Sequence, residues 1–217
     1  MKTALITGAS RGIGRAIAEE LGRDHHIYVG ASEDASEVVN ALPSAAPFEV
    51  DLTDMDAIVR AAHEIERLDV LVLAAGVLHR GLFTQLSDEQ WRESMQVNLL
   101  APVTLTRELL PALRRSRGLI ITINSGAGLN GYPENSAYCA SKFALRGFTD
   151  SLRLEEEGRV RVTSLHPGRT DTDMIAGAQH GDSPKMDAAQ VARAARLAVD
   201  AGPEATVEFL RVRPVVG

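Results

Sequence analysis

Short apolar runs alternate with amphipathic segments along almost the whole chain. Runs of strand length that carry mostly apolar residues fall at about 2–7, 26–31, 47–51, 69–76, 118–125, 159–168 and 205–214. Between them, segments such as 13–23 and 55–68 repeat their apolar residues at helical spacing. The nearly unbroken apolar run at 69–76 is typical of a strand in a parallel sheet that helices cover on both faces.

This alternation predicts an α/β fold: a single doubly wound Rossmann domain with a mainly parallel seven-stranded sheet and helices on both faces. No repeat, low-complexity segment or linker divides residues 1–217. We expect a cofactor part over about residues 1–125 and a catalytic and substrate part over about residues 125–217. Ligands of such sheets bind at the carboxyl ends of the strands, where Gly8, Gly76, Ser125 and Gly168 fall.

A glycine-rich turn follows the first predicted strand. Gly8, Gly12 and Gly14 have the spacing G-x-x-x-G-x-G, and glycine permits backbone angles that let a phosphate approach the main chain. The helix that follows would point its N–H groups and the positive end of its dipole at that phosphate. A plain tight turn would use the same glycines, but the position after the first strand favours a nucleotide site.

The end of the second strand indicates which nucleotide is bound. An acidic residue there would bind the adenosine ribose of NAD, whereas small or basic residues accommodate the phosphate of NADP. The strand ends in Ala31 and Ser32, and we assign the later Glu33 and Asp34 to the start of the next helix. Arg11 in the glycine loop can reach the same pocket and pair with a phosphate. These residues favour NADP, and NAD would be preferred if Glu33 folded back to the ribose.

A serine, a tyrosine and a lysine form a candidate proton-transfer site. Tyr138 and Lys142 project from one face if their segment is helical. An ammonium beside the phenol would lower its pKa, and the hydroxyl of Ser125 could hold the substrate oxygen that exchanges the proton. Asn98 lies within an apolar helical segment, so it needs polar partners and is either a structural bridge or a site residue.

Composition narrows the class of partner to small molecules. The net charge of −6, without a basic run, argues against nucleic acid. No apolar stretch approaches the roughly 18 residues of a membrane span, and residues 1–10 do not resemble an export signal, so we expect a cytoplasmic protein without a membrane partner. The single Cys139 leaves no disulfide and no metal framework.

The helix predicted for residues 136–157 has apolar residues on a second face. Ala140, Phe143, Gly147 and Leu154 lie opposite Tyr138. A helix that lies on a sheet needs one apolar stripe only, so the second one indicates contact with another subunit, in a homodimer or a homotetramer. A partly exposed apolar face is the simpler alternative.

Taken together, these motifs resemble those of the short-chain dehydrogenase/reductase family over nearly the whole chain. The resemblance is carried, in the family's order, by TGASRGIG (7–14), LAAG (73–76), VNL (97–99), INSGAG (123–128), YCASK (138–142) and HPGRTDTDM (166–174). One departure is Leu73, which stands where the family usually has a structural asparagine that braces the central strands.

The resemblance implies a catalytic tetrad of Asn98, Ser125, Tyr138 and Lys142. Tyr138 would be the general acid or base, Ser125 would orient the substrate oxygen, Lys142 would lower the pKa of Tyr138 and hold the nicotinamide ribose, and Asn98 would anchor a water. The implied cofactor contacts are Gly8, Ser10, Arg11, Gly12, Ile13, Gly14, Ala31, Ser32, Asp51, Leu52, Ala74, Ala75, Gly76, Tyr138, Lys142, Pro167, Gly168, Thr170 and Thr172.

The sequence therefore predicts an NADP-dependent oxidoreductase that acts on a carbonyl or a secondary alcohol. One alternative is a non-catalytic NADP-binding regulatory protein of the same fold. The presence of all four residues of the tetrad argues against it. A second is an epimerase or dehydratase with tightly held NAD, which we favour less because nothing indicates a sugar-nucleotide domain after Gly168. The substrate would meet residues of about 77–86, 126–135 and 173–187, and Arg80 or Arg169 could bind an acidic one.

Overall fold

One twisted parallel sheet organises the residues that the computed structural model describes, 1–175 and 184–215. Its strand order is β3-β2-β1-β4-β5-β6-β7, and all of its pairings are parallel. The strands are β1 (Lys2–Ile6), β2 (His25–Ala31), β3 (Ala45–Glu49), β4 (Val70–Leu73), β5 (Leu119–Ile123), β6 (Arg161–Pro167) and β7 (Phe209–Val212). The order reverses between β1 and β4, and this edge of a doubly wound sheet is where ligands bind.

Helices cover both faces of the sheet. They are α1 (Gly12–Leu21), α2 (Ser36–Ala41), α3 (Met55–Ala62), α4 (Asp88–Met95), α5 (Ala101–Ser116), α6 (Ser136–Glu155) and α7 (Ala188–Asp200). Alternate strand residues feed two apolar cores. Ile6 and Ile121 pack with α1 and α7 on one face, whereas Leu5 and Ile120 pack with α3 and α5 on the other.

The predicted fold class is confirmed, with local differences at the ends of elements. β3 ends at Glu49, two residues before the predicted Asp51. α3 ends at Ala62 instead of continuing to residue 68, although Ile65 and Leu68 beyond it are still buried in the core. Within the described ranges, no helix combines the length and the apolar character that crossing a membrane requires.

Candidate active site

The carboxyl ends of the strands surround one open cavity of about 1400 Å³. Every predicted cofactor contact lines it, from Gly8 in the loop after β1 to Thr172 in the segment after β6. Ser125, Tyr138 and Lys142 line it as well, whereas Asn98 does not. The structure thus gathers predicted residues from the ends of six strands, β1 to β6, into one site, as the sequence predicts for a parallel sheet.

The glycine loop adopts the conformation that its sequence requires. Gly8 and Gly12 have φ angles of +63° and +56°, which side chains rarely adopt. A Cβ on Gly14 would lie 2.2 Å from the carbonyl oxygen of Gly8, so this third glycine permits close packing of the loop on α1. Because α1 begins at Gly12, its first N–H groups face the cavity without intrahelical partners, which suits a dinucleotide phosphate.

Thr7 connects the two central strands where Leu73 replaces the usual asparagine. Its hydroxyl oxygen accepts hydrogen bonds from the main-chain N–H groups of Ala74 and Ala75, both at 3.0 Å. Leu73 itself is buried in the apolar core. Thr7 is the first residue of the motif TGASRGIG, but the sequence gives no sign that it bridges to a strand more than sixty residues away.

At the predicted ribose pocket, Ala31 and Ser32 line the cavity and the neighbouring acids do not. Asp34 accepts a hydrogen bond from the N–H of Ser36 at 2.7 Å, so Glu33 and Asp34 lie in the turn just before α2 and not within the helix. Arg11 lines the cavity and lies 3.7 Å from the carboxylate of Asp173, with both side chains largely exposed. An exposed pair of this kind contributes little to stability, so Arg11 can exchange this partner for a phosphate.

The hydroxyl of Ser125 lies near that of Tyr138, close enough to act on the pKa of the phenol. Ser125 follows β5 in extended conformation, and its oxygen also accepts the N–H of Ala127 at 3.1 Å. Lys142, one turn after Tyr138 on α6, is almost completely buried. Its Nζ donates to the carbonyl oxygen of Ile123 at 3.0 Å and lies 5.7 Å from the centre of the Tyr138 ring. The three side chains predicted from spacing therefore converge.

The expectation of a lowered Tyr138 pKa is wrong for this structure. Burial raises the pKa of the Tyr138 phenol, and the nearby hydroxyl of Ser125 offsets this only in part. Burial also lowers the pKa of Lys142 to about 8. The physical reason is that desolvation disfavours both the phenolate and the ammonium, while the ammonium points to Ile123. Tyr138 is thus a protonated acid at neutral pH.

Asn98 acts as a bridge in this structure and does not reach the cavity. It lies in a π-helical turn, Gln96–Leu100, between α4 and α5. Its Oδ1 accepts the N–H of Val77 at 2.8 Å, and its Nδ2 donates to the carbonyl oxygen of Val77 and the hydroxyl of Ser141, both at 3.0 Å. These bonds tie the chain after β4 to α6, the helix of Tyr138. The role of water anchor stays a prediction.

The substrate side of the cavity is lined by parts of the segments predicted for it. Leu78, His79, Tyr132 and Met174 take part, whereas Leu82, Phe83 and Leu129 do not. Residues 176–183 of the third segment lie outside the described residues. His79 contacts the carboxylate of Glu93 at 2.8 Å, and Arg80 and Arg169 also line the cavity.

Further residues of the site were not predicted, because the pairing of strands that are distant in the chain brings them there. His166 is buried beneath Ser125, and its Nδ1 lies 3.0 Å from the Ser125 carbonyl oxygen. Arg211 and Arg213 enter the cavity from the end of β7. The only available signal for them was the alternation of VEFLRVRP, which places both arginines on one face of a strand.

Comparison with known proteins agrees with the fold and the motifs. A family model described as short chain dehydrogenase matches residues 2–183. The 3-oxoacyl-(acyl-carrier-protein) reductase FabG of Haemophilus influenzae is 36% identical over 183 residues, which are 80% of this chain and 76% of that protein. The solved alcohol dehydrogenase from the archaeon Thermococcus sibiricus, complexed with 5-hydroxy-NADP, has a TM-score of 0.88 at 28% identity, covering 99% of this chain and 97% of its own. A metagenomic short-chain oxidoreductase in complex with NADP has a TM-score of 0.85 at 30% identity, covering 100% and 98%.

Proposed function

Because the chain belongs to the short-chain dehydrogenase/reductase family and is an oxidoreductase of CH–OH groups, we propose that it transfers a hydride between NADP and a carbonyl or secondary alcohol, with Tyr138 as the acid–base catalyst. The observation that carries the proposal is the convergence of Ser125, Tyr138 and buried Lys142 in one cavity lining, with Lys142 Nζ 5.7 Å from the centre of the Tyr138 ring. This group faces the same cavity as the glycine loop. Bound NADPH supplies the hydride.

In reduction, the substrate oxygen binds between the hydroxyls of Ser125 and Tyr138. Ser125 donates a hydrogen bond that orients this oxygen and stabilises the negative charge that develops on it. Tyr138 then gives its proton to the same oxygen, and the ammonium of Lys142 stabilises the tyrosinate that remains. The Tyr138 phenol, whose pKa burial raises further above neutral pH, is protonated before the reaction, as reduction requires.

Tyr138→Phe tests the mechanism. The variant loses the proton donor and keeps the ring, so turnover with a carbonyl panel should fall at least about a hundredfold, the lower end of what general acid catalysis contributes. NADPH should still bind, as measured by its fluorescence. Tyr28→Phe is the matched control, since Tyr28 lies on β2 outside the cavity lining. Near-normal turnover of Tyr138→Phe would contradict the mechanism. The alternative of a non-catalytic protein finds no support in the comparisons, and it requires that the wild type itself turns over no carbonyl.

Selection of NADP over NAD is proposed from the charges around Ser32. Ala31 and Ser32 line the cavity, the acids that follow them, Glu33 and Asp34, do not, and Arg11 lines the same cavity. Arg11→Gln should lower kcat/KM for NADPH about tenfold and leave kcat/KM for NADH nearly unchanged. The reason is that only NADPH carries the extra phosphate with which Arg11 would pair. Arg23→Gln, at the far end of α1, is the control. Equal losses for both cofactors would contradict this assignment.

A homo-oligomer is proposed from the outer face of α6. Ala140, Phe143, Gly147 and Leu154 are all exposed, and Leu154 is 75% accessible. Light scattering should show a dimer or tetramer that Phe143→Glu or Leu154→Glu dissociates, because a charge on a buried apolar interface is costly. Leu197→Glu, an exposed leucine of α7, is the control. A monomeric wild type would refute the proposal.

A further inference from the structure

Two arginines reach the catalytic cavity from the last strand of the sheet. β7 runs parallel to β6, and Arg211 is the register partner of His166. The N–H of Gly168 donates to the carbonyl oxygen of Val212 at 2.7 Å, so the end of β7 adjoins the segment that follows β6. Arg211 and Arg213 both line the cavity.

Strand alternation decides the side of the sheet on which these arginines lie. Leu210 and Val212 pack into the core shared with α1 and α7. Phe209 lies on the opposite face, where its ring stacks on His166 with 4.5 Å between ring centres. Since alternate residues share a face, Arg211 lies on the side of Phe209, and Arg213 follows directly after the last residue of the strand.

The same side of the sheet carries the catalytic tyrosine. Arg153 of α6 donates to the carbonyl oxygens of Val162 and Glu208, which places α6 over this face of β6 and β7. His166, on the same face, approaches the main-chain oxygen of Ser125. Arg211 therefore lies on the side of the sheet that carries Tyr138, and Arg213, two residues later, lines the same cavity.

Within the part of the chain that the structure describes, no carboxylate pairs with the guanidinium groups of these two arginines. Arg211 and Arg213 are exposed and have no ion pair or side-chain hydrogen bond to residues 1–175 or 184–215. By contrast, Arg114, Arg153 and Arg196 are all paired with carboxylates.

The cavity acids do not neutralise these arginines. Asp51 accepts two hydrogen bonds from Thr53, Glu93 contacts His79, and Asp173 contacts Arg11. Glu134 also lines the cavity but forms no ion pair with Arg211 or Arg213. Two cations at the edge of a cleft that no described residue neutralises, in a chain of net charge −6, raise the local concentration of anions there.

We propose that Arg211 and Arg213 bind an anionic group, a carboxylate or a phosphate, carried by the substrate whose carbonyl Tyr138 protonates. The planar guanidinium offers paired N–H donors that match the oxygens of either anion. This inference rests on the proposed function and names its substrate class: oxo acids, or oxo compounds that carry a phosphate.

Binding without turnover tests the inference separately from the chemistry. With NADPH saturating, hydroxy compounds form a dead-end complex, because no hydride can leave them for a reduced cofactor. Calorimetry would compare hydroxy acids of increasing chain length with their methyl esters, and hydroxyalkyl phosphates with their neutral dimethyl esters. The proteins are the wild type, Arg211→Gln/Arg213→Gln, Arg80→Gln at the other side of the cavity, and Arg193→Gln on α7 as an exposed control outside the lining.

The wild type should bind at least one anion about tenfold or more tightly than its ester, as expected for charge-assisted hydrogen bonds. The double variant should lose this preference, Arg193→Gln should keep it, and all should unfold at similar temperatures. Equal binding of every anion and its ester by the wild type would overturn the inference. A preference for the anion that survives in the double variant, or that disappears in Arg80→Gln alone, would also overturn it. So would an equal loss of NADPH affinity in the double variant, because that loss would assign the two arginines to the cofactor. A wild type that binds anions in this way but reduces no carbonyl would refute the proposed function and leave the anion site standing.

Discussion

The imidazole of His166 holds the main-chain carbonyl of Ser125, with Nδ1 3.0 Å from the oxygen. A carbonyl can only accept, so Nδ1 carries the hydrogen, and Nε2 accepts from the hydroxyl of Ser164 at 2.7 Å. The ring is fully buried against Phe209, and burial lowers the pKa of His166, which keeps it neutral at neutral pH. His166 thus fixes the main chain that presents the Ser125 hydroxyl.

Replacement of His166 by Phe should lower kcat roughly tenfold, because a small displacement of Ser125 misplaces the substrate oxygen. The affinity for NADPH should change little, since His166 does not line the cavity. Steady-state kinetics and NADPH titration measure the two effects. His26→Phe is the control, as His26 is also bonded to a serine, Ser44, but on β2. An unchanged kcat in a folded His166→Phe protein would show that Ser125 is held without it.

The buried ammonium of Lys142 should lower the free energy of unfolding at neutral pH, compared with an uncharged side chain at this position. Burial lowers its pKa from 10.5 to about 8, so protonation costs the folded state about 3 kcal/mol at pH 7, at 1.36 kcal/mol per pKa unit. The unfolded state binds more protons between pH 8 and 10.5, so the stability of the wild type rises with pH across that window.

Lys142→Met should therefore be more stable than the wild type at pH 7, by about 2 kcal/mol once the lost hydrogen bond to Ile123 is subtracted. The difference should shrink as pH rises from 8 towards 10.5. Urea unfolding at pH 7 and at pH 9.5 measures it, with exposed Lys2→Met as the control. A difference that does not depend on pH would contradict this account.

Two groups of cavity residues were placed together by short spacings in the sequence. Tyr138 and Lys142 are one helical turn apart, and Gly8, Gly12 and Gly14 lie in one turn after a strand. Local geometry fixes such groups wherever the element lies, so the sequence alone suffices. Thr7 and His166 belong to motifs quoted for the resemblance, but no role was predicted for them or for Arg211, because each acts across strands distant in the chain and only the pairing of those strands brings the partners together.

The pKa of Tyr138 was predicted in the wrong direction for a related reason. Spacing places an ammonium on the same helix face, but it does not reveal how deeply both groups are buried or that Nζ bonds to Ile123. Desolvation then outweighs the attraction. The bridging role of Asn98 was one of two open alternatives, since buried amides need partners, but the partner Val77 could not be named without the fold.

Gly14→Ala and Gly147→Ala should have opposite effects on stability. A Cβ on Gly14 would lie 2.2 Å from the Gly8 carbonyl oxygen, a rigid main-chain atom, so the glycine loop must move and NADPH binding should fall at least about tenfold. A Cβ on Gly147 in the middle of α6 meets no atom within 4 Å, so alanine should stabilise the monomer by about 0.5–1 kcal/mol through helix propensity. Thermal unfolding and NADPH titration of both variants check this, and equal effects would contradict the packing that we describe.

Asn98→Ala distinguishes bracing from a purely chemical role. The substitution leaves the N–H and carbonyl of Val77 and the hydroxyl of Ser141 without their partner, so the free energy of unfolding should fall by about 2–3 kcal/mol. Asn40→Ala on exposed α2 is the control and should change it by less than about 0.5 kcal/mol. Because Asn98 Oδ1 would lie 3.1 Å from a Cβ at Gly76, loss of the bridge should also loosen this wall of the cavity and weaken NADPH binding. A variant of unchanged stability and cofactor affinity that has lost only kcat would instead assign Asn98 to the proton path.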